Sequence, residues 1–233
     1  MTWYCLNSGP GAAFFNMALD ESLLENIASL GRPVLRFYGW AGSAATFGHL
    51  QKHAAAEAAT ALRPLIRRPS GGGVVPHDAD WTYSLTVPPN HEWYALAAIE
   101  SYRRMHAWIQ GAFAGLKIAA ELASAARKPM VPNVNPLIPG ACFVGHEKFD
   151  LLSHGRKIAG AAQRRNQCGL LIQGSVQPPR PMPRKDWETA MMGVARTEFD
   201  VDWQDLLADG KLLARAEELA REKYSQPAYN QKR

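Results

Sequence analysis

The heptapeptide Trp81-Thr82-Tyr83-Ser84-Leu85-Thr86-Val87 alternates without a fault. Trp81, Tyr83, Leu85 and Val87 point one way, and Thr82, Ser84 and Thr86 point the other. A period of two belongs to a β-strand, so the chain must build a sheet with an apolar face. Read alone, the segment is a half-buried strand. Residues 34–38, 45–47 and 64–68 read as further strands, and residues 149–176 as strands joined by tight turns. Residues 16–28 read as a helix, with Met17, Leu23, Leu24 and Ile27 on one face and Gly31 and Pro33 ending it. Residues 54–62 are alanine-rich and helical by propensity. The longest helix is expected over 94–116, where Ala98, Tyr102, Met105, Ile109 and Phe113 recur at helical spacing. A stripe of that kind is core material and receives no chemistry. Four prolines make residues 127–140 a loop, and residues 178–183 form another breaker. Residues 187–192, 203–207 and 212–224 read as terminal helices. Helices set among antiparallel-looking strands favour an α+β fold, with a central, mostly antiparallel or mixed sheet flanked by helices, over a doubly wound one.

Composition narrows the function classes. A chain of 233 residues, 47% hydrophobic and 20% charged, buries a core without staples. No internal repeat or linker divides it, so residues 1–233 are expected to form a single domain. The net charge of +5 is scattered, with no run of five like charges and no interleaving of basic and aromatic residues along one face. That gives no support for a nucleic-acid partner. Cys5, Cys142 and Cys168 are odd in number and irregular in spacing, which points to a reducing compartment rather than a disulfide framework. No His/Cys cluster has metal spacing, so no metal site is expected. The N-terminus lacks an export signal and no apolar run approaches membrane-spanning length, so the expectation is a cytoplasmic protein with no membrane partner.

Two segments carry chemistry. The first is Arg67-Arg68-Pro69-Ser70-Gly71-Gly72-Gly73-Val74-Val75-Pro76-His77-Asp78. Three glycines after a strand let backbone N–H groups approach an anion, and Arg68 and Ser70 add donors beside them. No Gly-Lys-Ser/Thr follows, which excludes a Walker loop. The spacing and the strand that follows exclude the dinucleotide fingerprint. A tight hairpin that merely needs glycine remains open, and the arginines and the His77-Asp78 pair tilt the balance toward a site. The second segment runs over residues 140–176. It holds Lys157 inside Gly155-Arg156-Lys157-Ile158-Ala159-Gly160, and Cys142 on the approach Pro139-Gly140-Ala141-Cys142-Phe143. A lysine between glycines and a cysteine on a loop suggest acyl chemistry.

With both segments in view, the chain resembles the biotin/lipoate protein ligase superfamily, in its lipoate ligase A and octanoyltransferase branch. The resemblance rests on Arg67 to Asp78 followed by Trp81-Thr82-Tyr83-Ser84, and on Gly155 to Arg165 followed by Leu171-Ile172-Gln173-Gly174-Ser175-Val176. Asn16-Met17-Ala18-Leu19-Asp20, Leu35 to Trp40 and Lys223-Tyr224 also look like family positions. It implies attachment of an octanoyl or lipoyl group to a lysine of a lipoyl-carrier domain, of the 2-oxoacid dehydrogenase E2 or glycine cleavage H protein type. It places Lys157 on the acyl carbonyl. It places Arg68, Ser70, Gly71, Gly72, Gly73, His77, Gly160 and Ala162 in the wall of the acyl or acyl-adenylate pocket. Asp150 falls near the family's acidic position before the lysine.

Two departures accompany the likeness. The family often has histidine where this chain has Ile172 and Gln173, and the chain stops soon after Tyr224, which implies that no accessory C-terminal domain follows. Two mechanisms are open. In one, Cys142 takes the acyl group from acyl carrier protein as a thioester and no cofactor is needed. In the other, ATP and Mg activate free lipoate as lipoyl-AMP and Cys142 is a bystander. A non-catalytic lipoyl-domain binding module is a third reading, opposed by the intact lysine and glycine run.

Overall fold

The computed structural model describes residues 1–127 and 145–232. In chain order its strands are β1 (Thr2–Gly11), β2 (Val34–Trp40), β3 (Ala44–Phe47), β4 (Leu65–Arg67), β5 (Val75–His77), β6 (Trp81–Val87), β7 (Glu121–Leu122), β8 (Leu151–Ser153), β9 (Arg156–Asn166), β10 (Gly169–Val176) and β11 (Asp202–Asp205). The helices are α1 (Ala13–Leu30), α2 (His53–Ala59), α3 (Glu92–Ala95), α4 (Ala98–Gly115), α5 (Arg184–Phe199), α6 (Gly210–Leu219) and α7 (Pro227–Asn230), with one π turn at Ala220–Tyr224. Among the described residues the large sheet is ordered β11–β1–β2–β6–β10–β9–β8–β7, and a small sheet is ordered β4–β3–β5. The β2–β6–β10–β9 centre is antiparallel, while β1 runs parallel to both β2 and β11. The architecture is therefore the α+β arrangement, with a mixed sheet flanked by helices.

The alternation at 81–87 sets the two faces of the large sheet. Trp81, Tyr83, Leu85 and Val87 join Leu35, Phe37, Leu170 and Ile172 in one apolar layer. Helices α4 and α5 cover it with Trp108, Ile109, Phe113, Trp187 and Met191. The opposite face carries polar side chains in register. Tyr38, Thr82, Ser175 and Gly160 form one row, and Arg36, Ser84, Gln173 and Ala162 the next. The expectation of a half-buried strand is corrected here, because all seven residues of β6 are buried. Helix α1 lies over the hydroxyl face, so it meets protein rather than water.

That helix brings a carboxylate. Asp20 accepts hydrogen bonds from Arg36 Nη1 at 2.7 Å, Ser84 Oγ at 2.7 Å, Gln173 Nε2 at 2.8 Å and the Tyr38 hydroxyl at 3.0 Å. Its charge is fully enclosed yet compensated, as a buried ion must be. Helix α1 ends as its sequence signals. Gly31 adopts φ +68° and its N–H caps Ile27 O.

Two element assignments change. Residues 203–207 were expected to be helical, but Asp202–Asp205 form β11, with Trp203 opposite Trp3 of β1. Five residues with three large apolar side chains, Trp203, Leu206 and Leu207, fit either element, and pairing with the N-terminal strand decides. The expected helix over 94–116 is two helices, because Leu96 and Ala97 are extended, with ψ of 146° and 151°. Among the described residues no helix is long and apolar enough to cross a membrane.

Asp20→Ala leaves the Arg36 guanidinium buried without its counter-ion and is expected to lower the unfolding free energy by about 3–5 kcal/mol, measured by urea titration. A loss below about 1 kcal/mol contradicts the assigned role of this carboxylate.

Candidate functional site

A cleft of about 500 Å³, counting its open mouth, lies between the polar face of the large sheet and the small sheet. Its walls include Trp40, Thr46, Arg68, His77, Lys157 and Ser175.

Lys157 enters from β9, just after a turn at His154 and Gly155 in which both residues have positive φ. Its side chain doubles back over its own strand. A Cβ built on Gly160 would stand 2.6 Å from Lys157 Cε and 2.7 Å from Nζ. The glycines that bracket the lysine thus have separate tasks: Gly155 makes the turn and Gly160 clears the path of the ammonium group. The ammonium is 8% exposed and lies 2.7 Å from Asp150 Oδ2. The same oxygen accepts the Glu147 N–H at 2.7 Å, and Oδ1 accepts the Tyr102 hydroxyl. Asp150, which the resemblance puts near the family's acidic position before the lysine, is wholly buried beneath the lysine and grips it. Tyr102, assigned to the core stripe of α4 without chemistry, is a partner in this cluster. Burial, the Asp150 charge and its hydrogen bond push the Tyr102 hydroxyl far up, so it stays a donor.

The glycine run is built around its own arginine. Arg68 donates from Nε to Gly71 O at 3.0 Å, from Nη2 to Gly73 O at 2.8 Å, and from Nη1 to Thr46 Oγ1 at 3.3 Å. Gly72 has φ +84°, and a Cβ there would meet Arg68 Nη2 at 2.8 Å. Gly72 and Ala162 line the cleft, whereas Ser70 is buried behind it and donates to Gln173 Oε1 at 2.6 Å. Gln173, where the family often has histidine, therefore ties the glycine run to Asp20 of α1 through its two amide atoms. Arg67 points away from the cleft. It donates to the carbonyls of His49, Gln51, Tyr229 and Asn230, which pins α7 to the loop after β3.

His77 faces the cleft, but its partner is not the adjacent Asp78, which is exposed. Asp80 Oδ2 lies 2.9 Å from His77 Nδ1 and accepts Ser175 Oγ at 2.6 Å and Thr82 Oγ1 at 3.1 Å. Thr46 Oγ1 lies 2.8 Å from His77 Nε2. The His77-Asp78 pair read from the sequence is thus corrected to His77 and Asp80, because the turn into β6 carries Asp80 inward and leaves Asp78 exposed.

Cys142 lies outside the described residues. Of the other thiols, Cys5 is buried and its pKa is raised to about 11, by burial first and then by Asp205 and Glu188, with Lys185 opposing. It is a poor nucleophile.

With this geometry in place, the sequence and the fold both find relatives. Residues 12–177 match the lipoyl protein ligase A/B catalytic domain family. The octanoyltransferase LipM of Bacillus subtilis is 33% identical over 180 residues, spanning 75% of this chain and 65% of that protein. LipM of Staphylococcus aureus is 32% identical over 181 residues with the same coverage. The chain therefore spans about 65% of the length of these relatives. A lipoate-protein ligase A bound with ATP shares the fold with a TM-score of 0.79 at 18% identity, covering 99% of both chains. A structure of the bipartite lipoate protein ligase and its E2 lipoyl domain from Thermoplasma acidophilum aligns with a TM-score of 0.73 at 17% identity, over 99% of this chain and 96% of that one.

Gly160→Ala is expected to expel the Lys157 amine from its niche. Lysine acetylation followed by peptide mass spectrometry should find Lys157 slow to label in the parent and faster in the variant; equal rates contradict the niche. A second outcome concerns His106, buried beside Tyr102. Burial lowers its pKa to about 4, Lys157 adds to the lowering, and Asp150 and the Tyr102 carbonyl oppose it. The folded ring is neutral where the unfolded ring takes a proton, so the stability present above pH 6.5 is lost as pH falls toward about 4. The loss is on the order of 3 kcal/mol. Denaturation midpoints at pH 7 and pH 5 should show a smaller acid penalty in His106→Phe; the same penalty in both proteins contradicts the assignment.

Proposed function

The chain belongs to the lipoyl protein ligase A/B catalytic domain family, and on that premise we propose that it transfers an octanoyl group from a thioester to a lysine of a lipoyl-carrier domain. The observation that carries this reading is the Lys157 ammonium, clamped by Asp150 on the wall of the cleft. A fixed positive donor there meets the oxygen of an acyl group and stabilises the oxyanion that forms when its carbonyl is attacked. Preorganisation by Asp150 and Gly160 means that the ammonium needs no reorientation at that moment.

The mechanism has two halves. The Cys142 thiolate attacks the octanoyl carbonyl of acyl carrier protein; the new carbon–sulfur bond forms, and the carrier's thiolate leaves and takes up a proton. The carrier-domain lysine then attacks the octanoyl-cysteine, an amide forms, and Cys142 is released. The partners are acyl carrier protein as donor and an E2-type or H-protein-type lipoyl domain as acceptor. The reaction suits the reducing cytoplasm, where Cys142 stays a thiol.

Support for transfer over ATP-dependent ligation comes from the octanoyltransferase relatives at about a third identity. The glycine run adds to it, since the Arg68 fork turns onto the carbonyls of Gly71 and Gly73. The ligase reading keeps one observation in its favour, the fold shared with the ATP-bound ligase A.

Incubation with octanoyl carrier protein and no ATP should give an enzyme adduct of octanoyl mass that is absent in Cys142→Ser, and Lys157→Ala should abolish turnover. Modification that requires ATP and survives Cys142→Ser contradicts the transferase reading.

A further inference from the structure

A second constellation borders the cleft, and the chemistry of acyl loading set out above gives its titratable groups no proton to move. Arg68 Nη1 donates to Thr46 Oγ1, which lies 2.8 Å from His77 Nε2; His77 Nδ1 lies 2.9 Å from Asp80 Oδ2. From the other side, Trp40 Nε1 donates to Thr82 Oγ1 at 2.7 Å, and Thr82 donates to Asp80. Arginine and tryptophan side chains can only donate. Each threonine oxygen therefore accepts from one of them; Thr82 passes its own proton to Asp80, and with His77 in the Nδ1–H tautomer Thr46 passes its own to His77 Nε2. With Nδ1–H committed to the Asp80 carboxylate, the lone pair of His77 sits at Nε2, on Thr46. The Trp40 ring, stacked 3.8 Å from the imidazole and 19° from parallel, fixes the ring plane. A hydroxyl on an imidazole nitrogen, with a carboxylate on the other nitrogen, is the orienting arrangement of a general base.

Its position is also set by register. Ser175, which donates to Asp80, is the β10 partner of Gly160, the residue over which the Lys157 amine folds. Directly opposed residues share a face, so through Ser175 Asp80 reaches the strand next to that of Lys157, and His77 and Lys157 line the same cleft. Trp40, Thr46, His77, Thr82 and Ser175 all line the cleft.

Transfer to a lysine needs such a group. A lysine amine with a pKa of about 10.4 is unprotonated in roughly one molecule in a few thousand at pH 7. We propose that Thr46 and His77, oriented by Asp80, accept the proton of the incoming carrier-domain lysine. The proposal rests on the transfer reaction above and adds its acceptor half. The ammonium gives one proton to Thr46 Oγ1 as Thr46 passes its own to His77 Nε2, leaving a neutral amine and an imidazolium held by Asp80. The amine nitrogen forms the bond to the acyl carbon, the carbon–sulfur bond breaks, and the second nitrogen proton goes to the departing thiolate. The imidazolium then releases its proton to water. Thr46 and His77 are catalytic residues in this step and Asp80 is a positioning residue.

The test separates acceptors by basicity. The octanoyl-protein is formed from an octanoyl thioester, isolated, and mixed either with apo carrier domain or with hydroxylamine, which is already neutral at pH 7. In His77→Asn, transfer to the carrier domain should slow about 100-fold or more, while cleavage by hydroxylamine stays near the parent rate. The residual carrier rate should climb with pH as the lysine loses its own proton. Among the described residues, Asp80 contacts His77 directly, Arg68 reaches it through Thr46, and Tyr38 and Lys157 line the same cleft; all are retained in this variant. Thr46→Val, nearly isosteric, should reproduce the selective loss, and Thr46→Ser should restore transfer. Equal slowing toward both acceptors, or no slowing toward either, overturns the proposal. If the parent protein forms no octanoyl adduct at all, the transfer reading has failed instead.

Discussion

A buried carboxylate decides how this molecule is put together. Asp20 sits on a helix that would otherwise lie on a sheet by apolar contact alone, yet four side chains from β2, β6 and β10 converge on it. An unpaired charge at that depth costs several kcal/mol, so α1 can dock in only one register, the one that brings all four donors together. The consequence reaches past the helix. Gln173, held by Asp20 through its amide nitrogen, uses its oxygen to receive Ser70, and so positions the glycine run over the same face. The cleft is the space left between the polar face of the sheet and the loop which that face holds in place.

The same device recurs twice at the rim of the cleft. Asp150 holds the Lys157 ammonium and Asp80 holds His77, each carboxylate being buried and shared among several donors. Neither lines the cavity. The side chains that do line it, an ammonium and an imidazole, are thereby fixed in direction without giving up their accessible faces. Small residues complete the arrangement. Gly160 makes room for the lysine stem, and Gly174 makes room for the Tyr83 ring, which a Cβ would meet at 2.2 Å.

Much of this was legible in the chain. The period-two run at 81–87 announces the central strand, and Gly155 to Gly160 mark Lys157 in the sequence itself. What the pattern could not reveal was the fate of the hydroxyl face. Alternation says that two faces differ, and only the docking of Asp20 says that the polar one is buried. Tyr102 was hidden for a related reason: at helical spacing with Met105 and Ile109 its ring packs like theirs, and only its hydroxyl finds Asp150 across the chain. The choice of Asp80 over Asp78 depends on which carboxylate the turn into β6 carries inward. β11 was misread because its partner, β1, lies two hundred residues away in the chain and supplies the pairing that a five-residue window lacks.

The account stands on an acyl carbonyl meeting Lys157 while the chain lies along the Gly160–Ser175–Thr82 row. A crystal structure with an octanoyl-pantetheine analogue, in which a methylene replaces the thioester sulfur, tests this most directly. The carbonyl oxygen is expected at roughly 2.7–3.2 Å from Lys157 Nζ with the Asp150 contact intact. An analogue seated elsewhere, or bound in the cleft with Lys157 turned away from its carbonyl, contradicts it.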